Sequence, residues 1–118
     1  YDAAFENLPC FIPPPPEPET RHARHLYTLL LDLEALTITR DRFLEELRRR
    51  NIGGGVHYLS LHLHRYYRER FDLRPQDYPH AQWHSDRTVS LPLSAGLSDA
   101  DVADVIEAVT DVLTRFHR

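Results

Sequence analysis

Residues 98–116, SDADVADVIEAVTDVLTRF, carry the clearest helical pattern in the chain. Ser98 is a residue type that caps helix N-termini, and Asp99 and Asp101 place negative charge in the first turn, where the helix dipole favours it. Apolar residues then recur at steps of three and four, the spacing of one helix face: Val102, Val105, Ile106, Val109, Val112, Leu113 and Phe116. The pattern predicts an amphipathic helix whose apolar face packs on a core.

A buried strand and a second helix are predicted upstream of this segment. Residues 24–32 form a short apolar run that is typical of a largely buried strand. Thr39 suits a helix N-cap, and the apolar stripe that follows it predicts a helix over about residues 40–50. The glycine run at residues 53–55 has two interpretations. It either helps to end this helix, or it supplies a close-approaching backbone that places residues 56–58.

The region between the two helices is assigned from shorter signals. It is predicted to contain a short strand or extended loop at 56–63, a helical turn at 65–70, a loop at 72–80, a short helix at 81–86 and a strand at 88–91. One helix-rich layer covering a small sheet accounts for these elements together. The predicted fold class is therefore α+β, a three- to four-stranded sheet with helices packed on one face.

The first 20 residues are predicted to be a connector. Residues 13–16 are four consecutive prolines, and proline fixes φ and donates no backbone hydrogen bond. A proline-rich ligand for an SH3-type groove is the alternative interpretation. Residues 1–8 are expected to be the end of a helix that begins upstream.

Composition bounds the chemistry of the chain. Its 118 residues suit one domain, and all 14 basic side chains are arginines, so no lysine is available for Schiff-base chemistry. The chain has no methionine and begins at Tyr1, so we expect it to be a piece of a longer or processed protein. A single cysteine, Cys10, excludes an internal disulfide framework and fits a reducing, cytoplasmic compartment. The net charge of −4 argues against nucleic acid as a partner, and no apolar run predicts a membrane span.

Histidines are numerous, and three of the eight, His57, His62 and His64, lie close together beside Tyr58. Neutral imidazoles bind zinc or nickel, so a histidine-rich metal-binding domain is one hypothesis. No cysteine or carboxylate stands at a recognised ligand spacing, which favours the prediction that the chain holds no metal.

Several motifs occur in an order that suggests a family. They are His22–Tyr27, Asn51–Gly53, Val56–Tyr58, Leu61-His62, Tyr66-Tyr67, Ser90–Leu93 and Gly96–Val102. With the amphipathic helix that follows them, they resemble the C-terminal small domain of the DegT/DnrJ/EryC1/StrS aminotransferases. The resemblance runs from Tyr1 to about Phe116. It implies that residues 1–20 connect to a missing large domain and that residues 21–118 form the small domain of a fold type I enzyme dependent on pyridoxal phosphate.

The resemblance also implies a function. The parent enzyme is expected to transfer an amino group from glutamate to a keto sugar attached to a nucleotide, for cell-surface polysaccharide or antibiotic sugar biosynthesis, and to be a homodimer. The missing large domain would carry the Schiff-base lysine and most cofactor contacts, so this fragment is expected to be inactive alone and to hold no catalytic residue. His57 and Tyr58 are expected to face the substrate, with His62 next. A non-catalytic module that binds a ligand or another protein is the alternative.

Overall fold

A three-stranded antiparallel sheet organises the domain in a computed structural model that describes residues 1–118. Its strands are β1 (Cys10–Phe11), β2 (Tyr27–Leu31) and β3 (Thr88–Leu91), in the order β1-β2-β3. Residues of β2 alternate between buried and half-buried, whereas all four residues of β3 are buried. The predicted α+β class with a small sheet is confirmed.

Five helices accompany the sheet. They are α1 (Asp2–Phe5), α2 (Arg40–Arg49), α3 (Arg65–Phe71), α4 (Pro79–Arg87) and α5 (Asp99–Arg115), with single 3-10 turns at Leu61–Leu63 and Pro75–Asp77. Helix α2 packs against α5 and β3, while α4 packs against β2. Together these elements enclose a core of 14 buried apolar residues. None of the helices is both long enough and apolar enough to cross a membrane.

Helix α5 begins where its sequence predicts. The Ser98 hydroxyl accepts a hydrogen bond from the Asp101 N–H at 3.2 Å, and the Asp101 carboxylate accepts one from the Ser98 N–H at 2.8 Å. This reciprocal pair is a capping box. The hydrogen bonds from Ser98 also lower the pKa of Asp101. The predicted N-cap and the predicted apolar face, with Val105, Val109 and Leu113 buried, are confirmed.

Helix α2 begins at the predicted Thr39 cap but does not end on the glycine run. The Thr39 side chain accepts a hydrogen bond from the Arg42 N–H. At the other end, Asn51 takes the left-handed conformation with φ of 60°. Its N–H donates to the Arg48 carbonyl, and the next N–H, that of Ile52, donates to the Leu47 carbonyl. This is the Schellman pattern, so Asn51 alone supplies the left-handed residue that ends the helix.

The structure favours the other interpretation of the glycine run, in which its backbone passes close to neighbouring groups. No glycine in the chain has a positive φ. A Cβ placed on Gly54 would lie 2.8 Å from Leu44 Cδ2 on α2, and one on Gly55 would lie 3.0 Å from His57 Cε1. Lack of a side chain therefore lets this segment pass close to α2 and to the His57 ring.

The structure shows the conformation of two segments for which the sequence gives only weak signals. Residues 1–20 are not an extended connector throughout, because Phe5 is fully buried and Cys10–Phe11 pair with β2 as an edge strand. The Tyr1 hydroxyl also donates to the Pro92 carbonyl at 3.0 Å. Residues 56–63, predicted as a short strand or an extended loop, form no strand: the neighbouring Gly55 makes an isolated bridge to Ser90, and the segment continues as a loop into the 3-10 turn at Leu61–Leu63.

Candidate functional site

A loop between α2 and α3 is fastened to β3 at its start. The Gly55 N–H donates to the Ser90 carbonyl at 3.0 Å, and the Ser90 N–H donates to the Gly55 carbonyl at 2.8 Å. Ser90 is 4% exposed and belongs to a fully buried strand. The loop therefore leaves the sheet from a rigid point, two residues before His57.

The His57 imidazole is held on one side only. Its Nδ1 lies 2.9 Å from the Ser90 hydroxyl, and Gly55 lies against the ring edge. The other ring nitrogen, Nε2, has no hydrogen-bond partner in the chain and is not among its buried unpaired atoms. A half-buried imidazole with one fixed and one free nitrogen can bind a ligand oxygen without first reorganising.

Tyr58 stands beside this ring and is largely open to solvent. It is 73% exposed, and its ring meets the His57 ring edge to face, with centroids 4.9 Å apart. The structure thus brings two of the predicted substrate-facing residues together at the surface. An exposed tyrosine next to a free imidazole nitrogen offers a stacking face and two hydrogen-bonding groups to a ligand.

His62, the third predicted residue, lies beneath the surface. It is 4% exposed, its ring stacks on Tyr78 with centroids 5.3 Å apart, and its Nε2 is 3.0 Å from Gln82 Oε1. The Gln82 amide donates to Asp86 at 2.6 Å. Because a carboxylate only accepts, the Gln82 oxygen must face His62, and His62 Nε2 is the donor. In this structure His62 fastens the loop to α4.

Ser60 adds a second attachment between the loop and α4. Its N–H donates to the Ser85 hydroxyl at 3.1 Å, and its own hydroxyl donates to the Ala81 carbonyl at 2.9 Å. Ser90, Gln82 and Ser60 are the site residues that the sequence does not reveal. Each is 20 or more residues from its partner, and only the Ser-Leu-Pro-Leu motif draws attention to Ser90.

Large apolar side chains are exposed both at the site and on α3. We call this set the aromatic face; its members are all at least 37% exposed and are Tyr58, Leu61, Tyr66, Tyr67 and Phe71. A concentration of large exposed apolar side chains marks a surface that contacts another protein or domain.

The histidines of the loop do not converge on a common point. His57 is held by Ser90, His62 by Gln82, and His64 lies 3.2 Å from the Leu59 carbonyl. No group of three or more histidine, cysteine, aspartate or glutamate side chains is arranged to hold a metal ion. The geometry gives the metal-binding hypothesis no support.

The residues of this chain do not make a complete site for pyridoxal phosphate. There is no lysine to bind the cofactor covalently. The one thiol is no substitute, because covalent attachment of this cofactor needs an amine. Burial, helped by the nearby Asp32 carboxylate, also raises the pKa of Cys10 to about 11. Groups outside these residues would have to hold the cofactor.

Comparison with known proteins identifies the family. The model of the DegT/DnrJ/EryC1/StrS aminotransferase family matches residues 1–110. The chain is 42% identical to the uncharacterized protein MJ1066 of Methanocaldococcus jannaschii over 97% of its length, and 41% identical to the spore coat polysaccharide biosynthesis protein SpsC of Bacillus subtilis over 96%. These matches cover 30% and 29% of those two proteins, respectively.

A solved structure gives the same result. The Helicobacter pylori aminotransferase PseC, involved in the biosynthesis of pseudoaminic acid, superposes with a TM-score of 0.83 at 27% identity, covering 98% of this chain and 30% of that one. The chain thus spans less than a third of the length of its relatives. From the match over residues 1–110 together with this superposition, the chain belongs to the DegT/DnrJ/EryC1/StrS aminotransferase family.

Proposed function

We propose that this chain is the small C-terminal domain of a sugar aminotransferase dependent on pyridoxal phosphate. The complete enzyme transfers an amino group from glutamate to a keto sugar carried on a nucleotide, in the synthesis of a cell-surface polysaccharide or an antibiotic sugar. Support comes from the family match and from the names of SpsC, a spore coat polysaccharide biosynthesis protein, and PseC, an aminotransferase involved in the biosynthesis of pseudoaminic acid. The single cysteine, which forms no disulfide within the chain, fits the proposal of a cytoplasmic enzyme.

The observation that carries the proposal is the pairing of a fixed imidazole with an exposed phenol. His57 is anchored through Nδ1, and Tyr58, which is part of the aromatic face, is 73% exposed beside it. In the proposed enzyme these two residues bind and orient the nucleotide sugar. His62, predicted to bind substrate next to them, would contribute from beneath the same loop.

The residue types of this chain indicate which tasks it performs in the proposed enzyme and which fall to the cofactor and the large domain. Pyridoxal phosphate, when bound by the large domain, supplies the group that accepts and returns the amino group. This chain supplies the wall that holds the sugar nucleotide and excludes water. His57 and Tyr58 act by hydrogen bonding and stacking, and the lysine that moves protons at the cofactor lies outside these residues.

The aromatic face gives the rest of the enzyme a surface to pack on. We propose that the large domain and the second subunit of a homodimer cover it, since five large apolar side chains exposed together would otherwise stay in water. Light scattering on the full-length protein should give the mass of two chains. A monomer at micromolar concentration would contradict the dimer.

Substitution of His57 in the full-length enzyme tests the substrate role. We expect His57→Ala to weaken binding of the nucleotide sugar by roughly tenfold, the effect of losing one hydrogen bond of about 1.4 kcal/mol. The absorption spectrum of the bound cofactor should stay unchanged, because the cofactor is held elsewhere.

His80→Ala is the matched control, since His80 is exposed and makes no hydrogen bond through its side chain. Its affinity for the nucleotide sugar should equal that of the unmodified enzyme. Loss of the cofactor spectrum in His57→Ala, or an unchanged affinity, would refute the proposed role.

A further inference from the structure

Ser90 holds a hydroxyl that serves only His57. Its backbone N–H and carbonyl are both bonded to Gly55, and its side chain is 4% exposed on a buried strand. The one hydrogen bond that its side chain makes is the 2.9 Å contact with His57 Nδ1. A buried hydroxyl without a hydrogen-bond partner would destabilise the fold, so this hydrogen bond to His57 is the one that satisfies Ser90.

The direction of this hydrogen bond follows from the number of donors and acceptors. If His57 Nδ1 carried the proton, the Ser90 oxygen would accept it, and the buried Ser90 O–H would have no acceptor. If Ser90 donates to Nδ1, no buried donor is left unpaired. The second arrangement is favoured. A neutral imidazole whose Nδ1 accepts must carry its proton on Nε2.

The backbone at Gly55 restricts the ring further. A Cβ there would lie 3.0 Å from His57 Cε1 and 3.5 Å from Nδ1, so a side chain at this position would displace the ring by a few tenths of an ångström. The ring is thus enclosed by Gly55 on one edge and by Ser90 at Nδ1. Nε2, which has no partner in the chain, is the nitrogen left for a ligand.

We propose that Ser90 is a positioning residue that fixes His57 in the tautomer with its proton on Nε2. The site then offers a hydrogen-bond donor at this point, and the matching ligand group is an oxygen acceptor, such as a sugar hydroxyl or phosphate oxygen. This inference rests on the proposed function, in which His57 faces the nucleotide sugar.

Nitrogen-15 NMR of the histidine-labelled 118-residue chain tests the tautomer directly. At a pH of about 8, well above the ordinary histidine pKa, long-range nitrogen–proton correlations distinguish a protonated Nε2 from a protonated Nδ1. We expect His57 to show protonated Nε2, and Ser90→Ala to shift it to the tautomer mixture of the exposed His80 and His117. Ser90→Thr, which keeps the hydroxyl, should restore the original signal.

His62 is an internal control for folding, because its Nε2 is fixed independently by Gln82. Its signal should be the same in every Ser90 variant, and Ser90→Cys, similar in size but a weak donor, should behave like Ser90→Ala. A His57 protonated on Nδ1 in the unmodified chain would overturn the inference. So would a tautomer unaffected by Ser90→Ala.

Kinetics of the full-length enzyme separate this inference from the proposed function. Ser90→Ala should raise the KM for the nucleotide sugar about two- to threefold with little change in kcat, because only part of the His57 population then keeps the binding tautomer, and Ser90→Thr should recover most of the loss. If KM is unchanged in Ser90→Ala but raised in His57→Ala, the role of Ser90 is refuted and the substrate role of His57 stands. If His57→Ala also leaves KM unchanged, both fail.

Discussion

Glu46 on α2 is a buried carboxylate surrounded by arginines. It is 4% exposed, and its oxygens lie 2.6 Å from Arg42, 3.1 Å from Arg49 and 3.0 Å from Arg50. The hydrogen bond from Arg50, with the charges of all three arginines, holds the pKa of Glu46 below its ordinary 4.5. Removing such a carboxylate leaves positive groups facing one another with nothing between them.

The lowered pKa gives Glu46→Gln a pH-dependent effect on stability. A carboxyl group whose pKa is lower in the folded state stabilises the fold above its unfolded value, and that stabilisation is lost as pH falls through the folded pKa. We expect Glu46→Gln to reduce the free energy of unfolding at pH 7, and the difference from the unmodified chain to shrink below a pH of about 4.5. Urea unfolding across this range measures it. Glu45→Gln, at a half-exposed neighbour, should show a smaller loss; equal losses would contradict the special role of Glu46.

At the scale of elements, the sequence predicts what local signals determine. Helices α2 and α5 carry their own caps and apolar faces, and the strand at residues 88–91 is stopped by Pro92, so their positions follow from neighbouring residues. Strand β1 has only two residues, and it exists because Cys10 pairs with Leu31. A contact of that kind depends on the folded sheet and leaves no periodic pattern.

In the candidate site, too, some residues can be predicted from the sequence, whereas others become apparent only in the folded structure. His57 and Tyr58 are neighbours in a recognisable motif, so the resemblance is enough to select them. The partners that hold the loop in place, Ser90 and Gln82, come from β3 and α4, 33 residues from His57 and 20 from His62. Their role becomes visible only when tertiary structure brings those elements together.

Gly54 is the point where the loop passes closest to α2. A Cβ there would lie 2.8 Å from Leu44 Cδ2 and 3.6 Å from the Ser90 carbonyl, so the Leu44 side chain must change its packing to admit it. We expect Gly54→Ala to lower the free energy of unfolding by about 1 to 3 kcal/mol, the usual cost of overpacking. Gly53→Ala is the control, because no atom lies within 4 Å of its added carbon. Thermal unfolding of both variants checks this, and equal midpoints would contradict the close approach.

The capping box of α5 makes a separate contribution. We expect Ser98→Ala to cost about 1 kcal/mol of stability, because the Asp101 N–H loses its acceptor and the Ser98 hydroxyl no longer supports the Asp101 carboxylate. Thr114→Ala, at an exposed position in the last turn of the same helix, should be close to neutral. Denaturant unfolding compares the two. A loss no larger in Ser98→Ala than in Thr114→Ala would show that the cap is not needed.

At the scale of the whole molecule, the chain buries an apolar core but leaves several large apolar side chains exposed to solvent. Fourteen apolar residues are buried together, yet Tyr58, Leu61 and Tyr66 remain 61% to 73% exposed. Relatives are more than three times as long as this chain, which covers about 30% of them. A domain that buries a core of this size and still exposes large apolar side chains has a surface available for packing against another domain.

Because the chain has no lysine, we predict that it has no aminotransferase activity on its own. The reaction proposed for the complete enzyme needs a lysine amine beside the cofactor, and none of the 14 basic residues of this chain is a lysine. We expect the purified 118-residue chain, mixed with pyridoxal phosphate, to show the spectrum of the free cofactor and to form no 2-oxoglutarate from glutamate. The full-length protein, assayed with the same reagents and a keto sugar nucleotide, is the positive control. Turnover by the isolated chain would place catalytic groups within these residues, and the substrate-wall role of His57 and Tyr58 would then have to be replaced by a direct one.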